Sequence, residues 1–185
     1  MKRRWGGILL ALVALSLLGL AYVRTHPLVF LQAHAHCIKW AGLSLHQYAD
    51  QHEGRFPAHP KGYGNALLLM DEDCFQALTG PGYDAAVLRD AKRAGADLPE
   101  EACGRLYIQG LSTKSHSAIA ILFDKLPTPG GDHCHLPNRL WAPLRREVCF
   151  VNGHTALIWE ADWPQVAQRQ VELLAEEGFD RHERA

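Results

Sequence analysis

Lys2, Arg3 and Arg4 stand directly before an apolar run from Trp5 to Val23, interrupted only by Gly6, Gly7, Ser16 and Gly19. As a helix, such a run reaches about 28 Å, close to the roughly 30 Å hydrocarbon core of a bilayer. The leading cations orient it with its N-terminus in the cytoplasm. The expectation is therefore a single-pass anchor over residues 5–23 in the cytoplasmic (inner) membrane, with the lipid bilayer as partner and the main domain in the periplasm or outside. The competing reading is a signal peptide cut after Ala21, with Gly19 and Ala21 as the small residues before the cut. Either reading exports the remainder.

Export bears on the cysteines, because disulfides persist in an oxidising compartment. The five are Cys37, Cys74, Cys103, Cys134 and Cys149. They allow at most two bridges, whose pairing sequence cannot fix. Proximity in the chain points to Cys74–Cys103 and Cys134–Cys149. No C-x-x-C occurs, which leaves a thioredoxin-like redox role without support.

The 185 residues as a whole are mixed in character, 48% hydrophobic and 21% charged, as in a folded domain. The formal charge of -1 argues against a nucleic-acid partner. Residues 28–51 carry a helical pattern, with Ile38, Ala41, Leu45, Tyr48 and Ala49 on one face. Gly54-Arg55-Phe56-Pro57 ends it. Further helices are expected over Ala66–Leu78, Ala85–Ala94 (capped by Asp84) and Trp163–Glu177 (capped by Asp162). Strands are expected at Arg105–Gln109, Ala118–Phe123, Glu147–Val151 and Thr155–Trp159. Asn152-Gly153, between the last two, is a type I′ hairpin pair. The organisation read from this is an anchor or signal over 1–24 and an α+β domain over 25–185. Within the domain lie a helical spine over 25–57, a helical insertion over 58–104, an antiparallel sheet over 105–160 and a final short helix over 161–180.

Two blocks carry a family resemblance. The first runs from Cys37 through Tyr48-Ala49-Asp50 to Gly54-Arg55-Phe56-Pro57. The second comprises Tyr107–Gly110, Ile121–Asp124, His133 or His135, and Phe150-Val151-Asn152-Gly153-His154. Together and in this order they resemble type II secretion pseudopilins and type IV pilin-like proteins with a C-terminal His…Asp-Gly motif. The resemblance implies a pilin-like fold: a long N-terminal helix, membrane-spanning in its first half, packed on a C-terminal antiparallel sheet. It implies a structural, assembly or protein-interaction role without catalysis, and other pilin-like or secretion-system proteins as partners. Three positions depart from the family pattern. Gly7 is followed by Ile8, with Leu12 at the fifth position, so the family's processing and filament-register residues are absent. Sixteen residues separate His135 from Asn152, where relatives have nine. Asn152 stands where the family has Asp, and Asn-Gly builds a tight turn equally well.

The strongest chemical pattern is His133-Cys134-His135. Residues two apart in an extended segment share a face, so both imidazoles can meet one ion. His154, Cys149 or Asp124 are candidates to complete a set suited to zinc or another transition metal. The alternative function is accordingly an exported metal-binding protein using His133, His135, His154 and Asp124. The plain reading of the same residues is a solvated loop between Pro129-Gly130-Gly131 and Pro137. His34-Ala35-His36-Cys37 sits in a helical pattern, whose neighbours fan out over different faces. Ser112, Ser115, Ser117 and His116 lack a glycine-rich oxyanion turn and read as a polar loop. No catalytic residue and no cofactor is expected.

Overall fold

The computed structural model describes residues 12–21, 36–80, 82–129 and 143–179. The chain divides into two compact units, Met1–His34 and Ala35–Ala185. In the first, residues 12–21 form a helix with every side chain exposed. Its ten residues rise only about 15 Å. Among the described residues no helix is long and apolar enough to cross a membrane. This overturns the single-pass inner-membrane localisation expected from the apolar run over 5–23.

The second unit is α+β. Its spine, α1 (His36–Gln51), buries Ile38, Ala41, Leu45 and Ala49, the face that the 3.6-residue period selects. The chain leaves the helix through Glu53 and Gly54, both at positive φ. The single helix expected over Ala66–Leu78 is instead two, α2 (Tyr63–Leu67) and α3 (Phe75–Thr79), with a 3-10 turn over Glu72–Cys74 between them. The break is at Asp71, whose backbone is extended and whose carbonyl accepts from the Cys74 N–H at 3.1 Å and from its Sγ at 2.8 Å. Propensity favours continuing, but these contacts start a new turn. Helix α4 (Ala86–Ala94) begins with Asp84 Oδ1 accepting from Ala86 N–H at 2.9 Å and closes on Gly95 at φ 61°.

The sheet contains β1 (Arg105–Tyr107), β2 (Ala120–Asp124), β3 (Thr128–Pro129), β4 (Leu144–Phe150) and β5 (Thr155–Trp159), all pairings antiparallel. β4 is central, flanked by β2 and β3 on one side and by β5 on the other. Its alternation sends Arg145, Glu147 and Cys149 to the face under α1, where Cys149 Sγ meets Gly42. A Cβ at position 42 would fall 2.6 Å from that sulfur, so the helix approaches the sheet there only as glycine. The opposite face takes α5 (Trp163–Glu176) through a Trp163–Phe123 ring contact at 5.3 Å, and the helix buries Leu173 and Leu174. The side-chain amide of Gln170 fixes α5 to β2, accepting from Ala120 N–H at 2.7 Å and donating to Ala118 O at 3.1 Å.

The β4–β5 hairpin forms, but not through a type I′ turn. Only Gly153 has positive φ, at 78°. Gly153 N–H donates to Phe150 O and Phe150 N–H to His154 O, both at 2.9 Å. This is a three-residue loop, a type I turn closed by a left-handed glycine. Tertiary contact decides it: Val151 is buried and its N–H donates to Ile119 O at 2.8 Å, toward β2, so it does not pair with His154 as a two-residue turn requires.

Both expected cysteine pairings fail. Cys74, Cys103 and Cys149 are buried free thiols, held apart on the 3-10 turn, before β1 and in β4. Cys37, at the start of α1, is disulfide-bonded, and Cys134 lies outside the described residues. Closeness along the chain is a poor guide here, because pairing needs matched positions in space and not in sequence.

Candidate functional site

Of the proposed metal set, His133 and His135 lie outside the described residues. Asp124 and His154 are not brought together. Asp124 sits beside Glu147 in the β2–β4 ladder, whereas His154 follows the turn beyond Phe150. Three residues of strand separate the two levels, roughly 10 Å, and a shared ion is beyond their reach. Asp124 is moreover fully buried and engaged on both oxygens: Oδ1 accepts from Arg105 Nε at 2.9 Å and Oδ2 from Glu147 N–H at 2.9 Å. Among the described residues no group of three or more His, Cys, Asp or Glu side chains could hold a metal ion.

What surrounds Asp124 is a charge cluster inside the domain. Arg105, Asp124 and Glu147 are each completely buried. The Arg105 guanidinium bonds Asp124, Glu147 and the carbonyl of Ala77 in α3. Three donors on one planar group thereby connect three strands and a helix, which lysine could not do. Burial pushes the Asp124 carboxyl up, opposed by Arg105 and the Glu147 N–H. Next to the cluster, the Arg145 guanidinium lies 3.8 Å from the ring centre of Trp159. On the other face Arg146 holds Glu160 through two nitrogens at 2.8 and 2.9 Å, and these hydrogen bonds, with the charge behind them, keep that carboxyl below its ordinary range. Read from sequence, Asp124 is a ligand candidate, and nothing singles out Arg105 or Glu147. The available signal is a charged residue within each short apolar strand, at positions that share a face by two-residue alternation.

The two blocks quoted from opposite ends of the domain meet. Thr113 N–H donates to Gly54 O at 2.8 Å, Phe56 N–H to Leu111 O at 3.2 Å, and the buried Tyr107 hydroxyl to Pro57 O at 2.7 Å. The His46 ring lies against Gly153 at the hairpin, where an added Cβ would sit 3.3 Å from Nε2. Asn152 Oδ1 accepts from His154 N–H at 2.9 Å, so Asn152 acts as a turn brace. Removing the Tyr107 hydroxyl leaves a buried carbonyl without its donor. Tyr107→Phe is expected to cost about 1–2 kcal/mol in chemical denaturation with an unchanged m-value; no change in midpoint would refute the role of this bond.

The remaining candidates have local explanations. Ser112 Oγ accepts from Lys114 N–H, Ser115 Oγ from Ser112 N–H, and His116 Nδ1 from Ala118 N–H. These groups cap their own loop. Glu72, on the 3-10 turn, pairs with Arg93 at 3.0 Å. A cleft of about 230 Å³ lies between α1 and Leu69–Asp71, lined by Ser44, Gln47, Gln51 and the stacked pair Tyr48–His52. His52 Nδ1 donates there to Tyr48 O at 2.7 Å, which fixes the ring as part of the helix. The outer face of α1 exposes Trp40 and Leu43, by 61% and 59%. Large apolar side chains three residues apart form one exposed patch on a helix.

No protein-family model, no curated protein and no solved structure matches this chain.

Proposed function

We propose that the second unit is a pilin-like protein-contact domain, acting by assembly with other pilin-like or secretion-system proteins rather than by catalysis. The supporting observation is the joining of the two resemblance blocks. The end of the helical spine, Gly54-Arg55-Phe56-Pro57, is hydrogen-bonded to the Tyr107–Thr113 stretch, and the spine's His46 rests on the Asn152-Gly153 turn. In this reading the polar groups of both blocks serve to hold a helix on a sheet, and Trp40 and Leu43 on the spine's outer face supply the contact surface. Aromatic and aliphatic anchors of that kind dominate protein interfaces.

The test is photo-cross-linking in the native host from a photoreactive residue placed at Trp40 or Leu43, with Lys114 as a distant control. A discrete adduct to a pilin-like or secretion-system protein, absent from the control, is the expected result. Adducts indistinguishable between the sites would overturn the reading. Elemental analysis of the full chain addresses the alternative: near one equivalent of transition metal, lost on His133→Ala/His135→Ala, would replace assembly by metal binding.

A further inference from the structure

Among the described residues, the sheet ends on a strand that carries none of the usual protections of an exposed edge. β5 reads Thr155-Ala156-Leu157-Ile158-Trp159, with no charge, no proline and no bulge in its ladder to β4. Natural edges are guarded by such devices because bare N–H and C=O groups recruit another strand. Among the described residues β5 pairs with β4 alone. All five residues are partly or fully exposed, Trp159 by 41%.

The direction of the free groups follows from the hairpin bonds. Phe150 N–H donates to His154 O, and Glu160 N–H to Leu144 O. In an antiparallel ladder, inward bonding alternates. His154, Ala156, Ile158 and Glu160 therefore face β4, while Thr155, Leu157 and Trp159 turn their backbone groups outward.

We propose that this outer edge is a self-association surface, with β5 pairing antiparallel to β5 of a second copy about a two-fold axis through Leu157. That register sets Leu157 opposite Leu157 of the second copy and Thr155 opposite its Trp159. The outward groups then meet outward groups, and each such residue exchanges both of its backbone bonds. One step further out, His154 of each copy falls opposite Glu160 of the other on the face away from α1. An imidazole thus faces a carboxylate at both ends of the joint. Cross-strand pairs of opposite character favour one register, and like charges in the same place oppose it. The charges next to this end pair are Arg146, which already holds Glu160, and Asp162 beyond it. A two-fold axis perpendicular to the sheet keeps both α1 helices on one face. The partner is a second copy because the ends of the strand complement each other.

This deepens the assembly reading by naming a partner for one edge. Its test reads self-association, whereas adducts from α1 read a different protein, so either can fail alone. Sedimentation velocity on the full chain over a wide concentration range is expected to show a monomer–dimer equilibrium. Leu157→Pro removes the central outward N–H, a change that edge strands tolerate, and should leave a monomer. His154→Glu places two carboxylates together at each end of the joint and should weaken the dimer by about tenfold. His154 is exposed and its side chain is outside the core, so this second variant carries the test if Leu157→Pro fails to fold. A wild-type chain that stays monomeric at the highest concentrations would overturn the proposal. So would a dimer that both edge variants leave unchanged, or one lost only on Leu43→Ser.

Discussion

Replacing Arg105 with methionine is expected to destabilise the domain by about 3–5 kcal/mol, the usual cost of removing one member of a buried ion cluster. The reason is the asymmetry of buried charge. With arginine present, Asp124 has its counter-charge at 2.9 Å, Glu147 shares the same guanidinium and the Ala77 carbonyl has a donor. Methionine fills similar volume but withdraws all three interactions from groups that water does not reach. A domain of this size has only about 5–15 kcal/mol of total stability, so the variant would be close to unfolding at room temperature. Adding Asp124→Asn should recover part of the loss. The amide oxygen still accepts from the Glu147 N–H, and the charge that needed a partner is gone. The loss in Arg105→Met alone should also shrink as the pH falls into the carboxylate range, since a protonated Asp124 needs no counter-ion. Denaturant titration of the two variants across pH measures both effects. Simple additivity of the two substitutions would show that Arg105 and Asp124 are not coupled.

The second large effect is expected in alkali. Burial pushes the Cys74 and Cys103 thiols up to about 11 and Cys149 up to about 12, from an ordinary 9.0. Lys125 near Cys103 and Arg105 near Cys149 lower these only in part. In the unfolded chain the same thiols ionise near 9, so above that pH the unfolded state sheds protons that the folded state keeps. Stability is unaffected below that point and falls as the pH rises from about 9 to 11. Keeping one buried thiol protonated across that window costs the fold about 3 kcal/mol, and the three together rival the whole stability. The Tyr107 hydroxyl, raised well above 10.0 by burial, acts in the same direction at higher pH. The expected observation is a melting temperature that drops steeply across this window. Replacing Cys103 and Cys149 with alanine should leave the onset near pH 9, where Cys74 still acts, and shrink the drop. A flat profile to pH 11 would show that the thiols ionise equally in both states.

Local elements followed from local rules. The buried face of α1 is the one its 3.6-residue pattern selects, and Gly54 through Pro57 ends the helix as glycine and proline do. Asp84 and Gly95 bound α4, and the four apolar segments after residue 104 became strands within a few residues of their expected limits. α+β class followed from these. One error is local, and the others lie where the placement of distant elements outweighs a neighbour. Asp71 divides the helix expected over Ala66–Leu78 because its carbonyl is held by Cys74. Asn152-Gly153 is the commonest type I′ pair, yet buried Val151, bonded to Ile119, turns it into a three-residue loop. Cys74, Cys103 and Cys149 stay free thiols because they sit on different elements, a 3-10 turn, the segment before β1 and β4.

The candidate sites divide in the same way. A list of His, Cys and Asp residues gives chemistry but no distances, and Asp124 and His154 occupy different levels of the sheet. Arg105, Asp124 and Glu147 are 19 and 23 residues apart in sequence and become one cluster only when β1, β2 and β4 come into register. The sequence by itself determined which faces are apolar, where turns can form and which segments are helix or strand, because these depend on nearest-neighbour periodicity and backbone preference. Tertiary structure alone decided which charges are buried together, which thiols stay reduced and which strand is left at the edge. Those depend on the pairing order of elements far apart in the chain, which residue-by-residue periodicity does not encode.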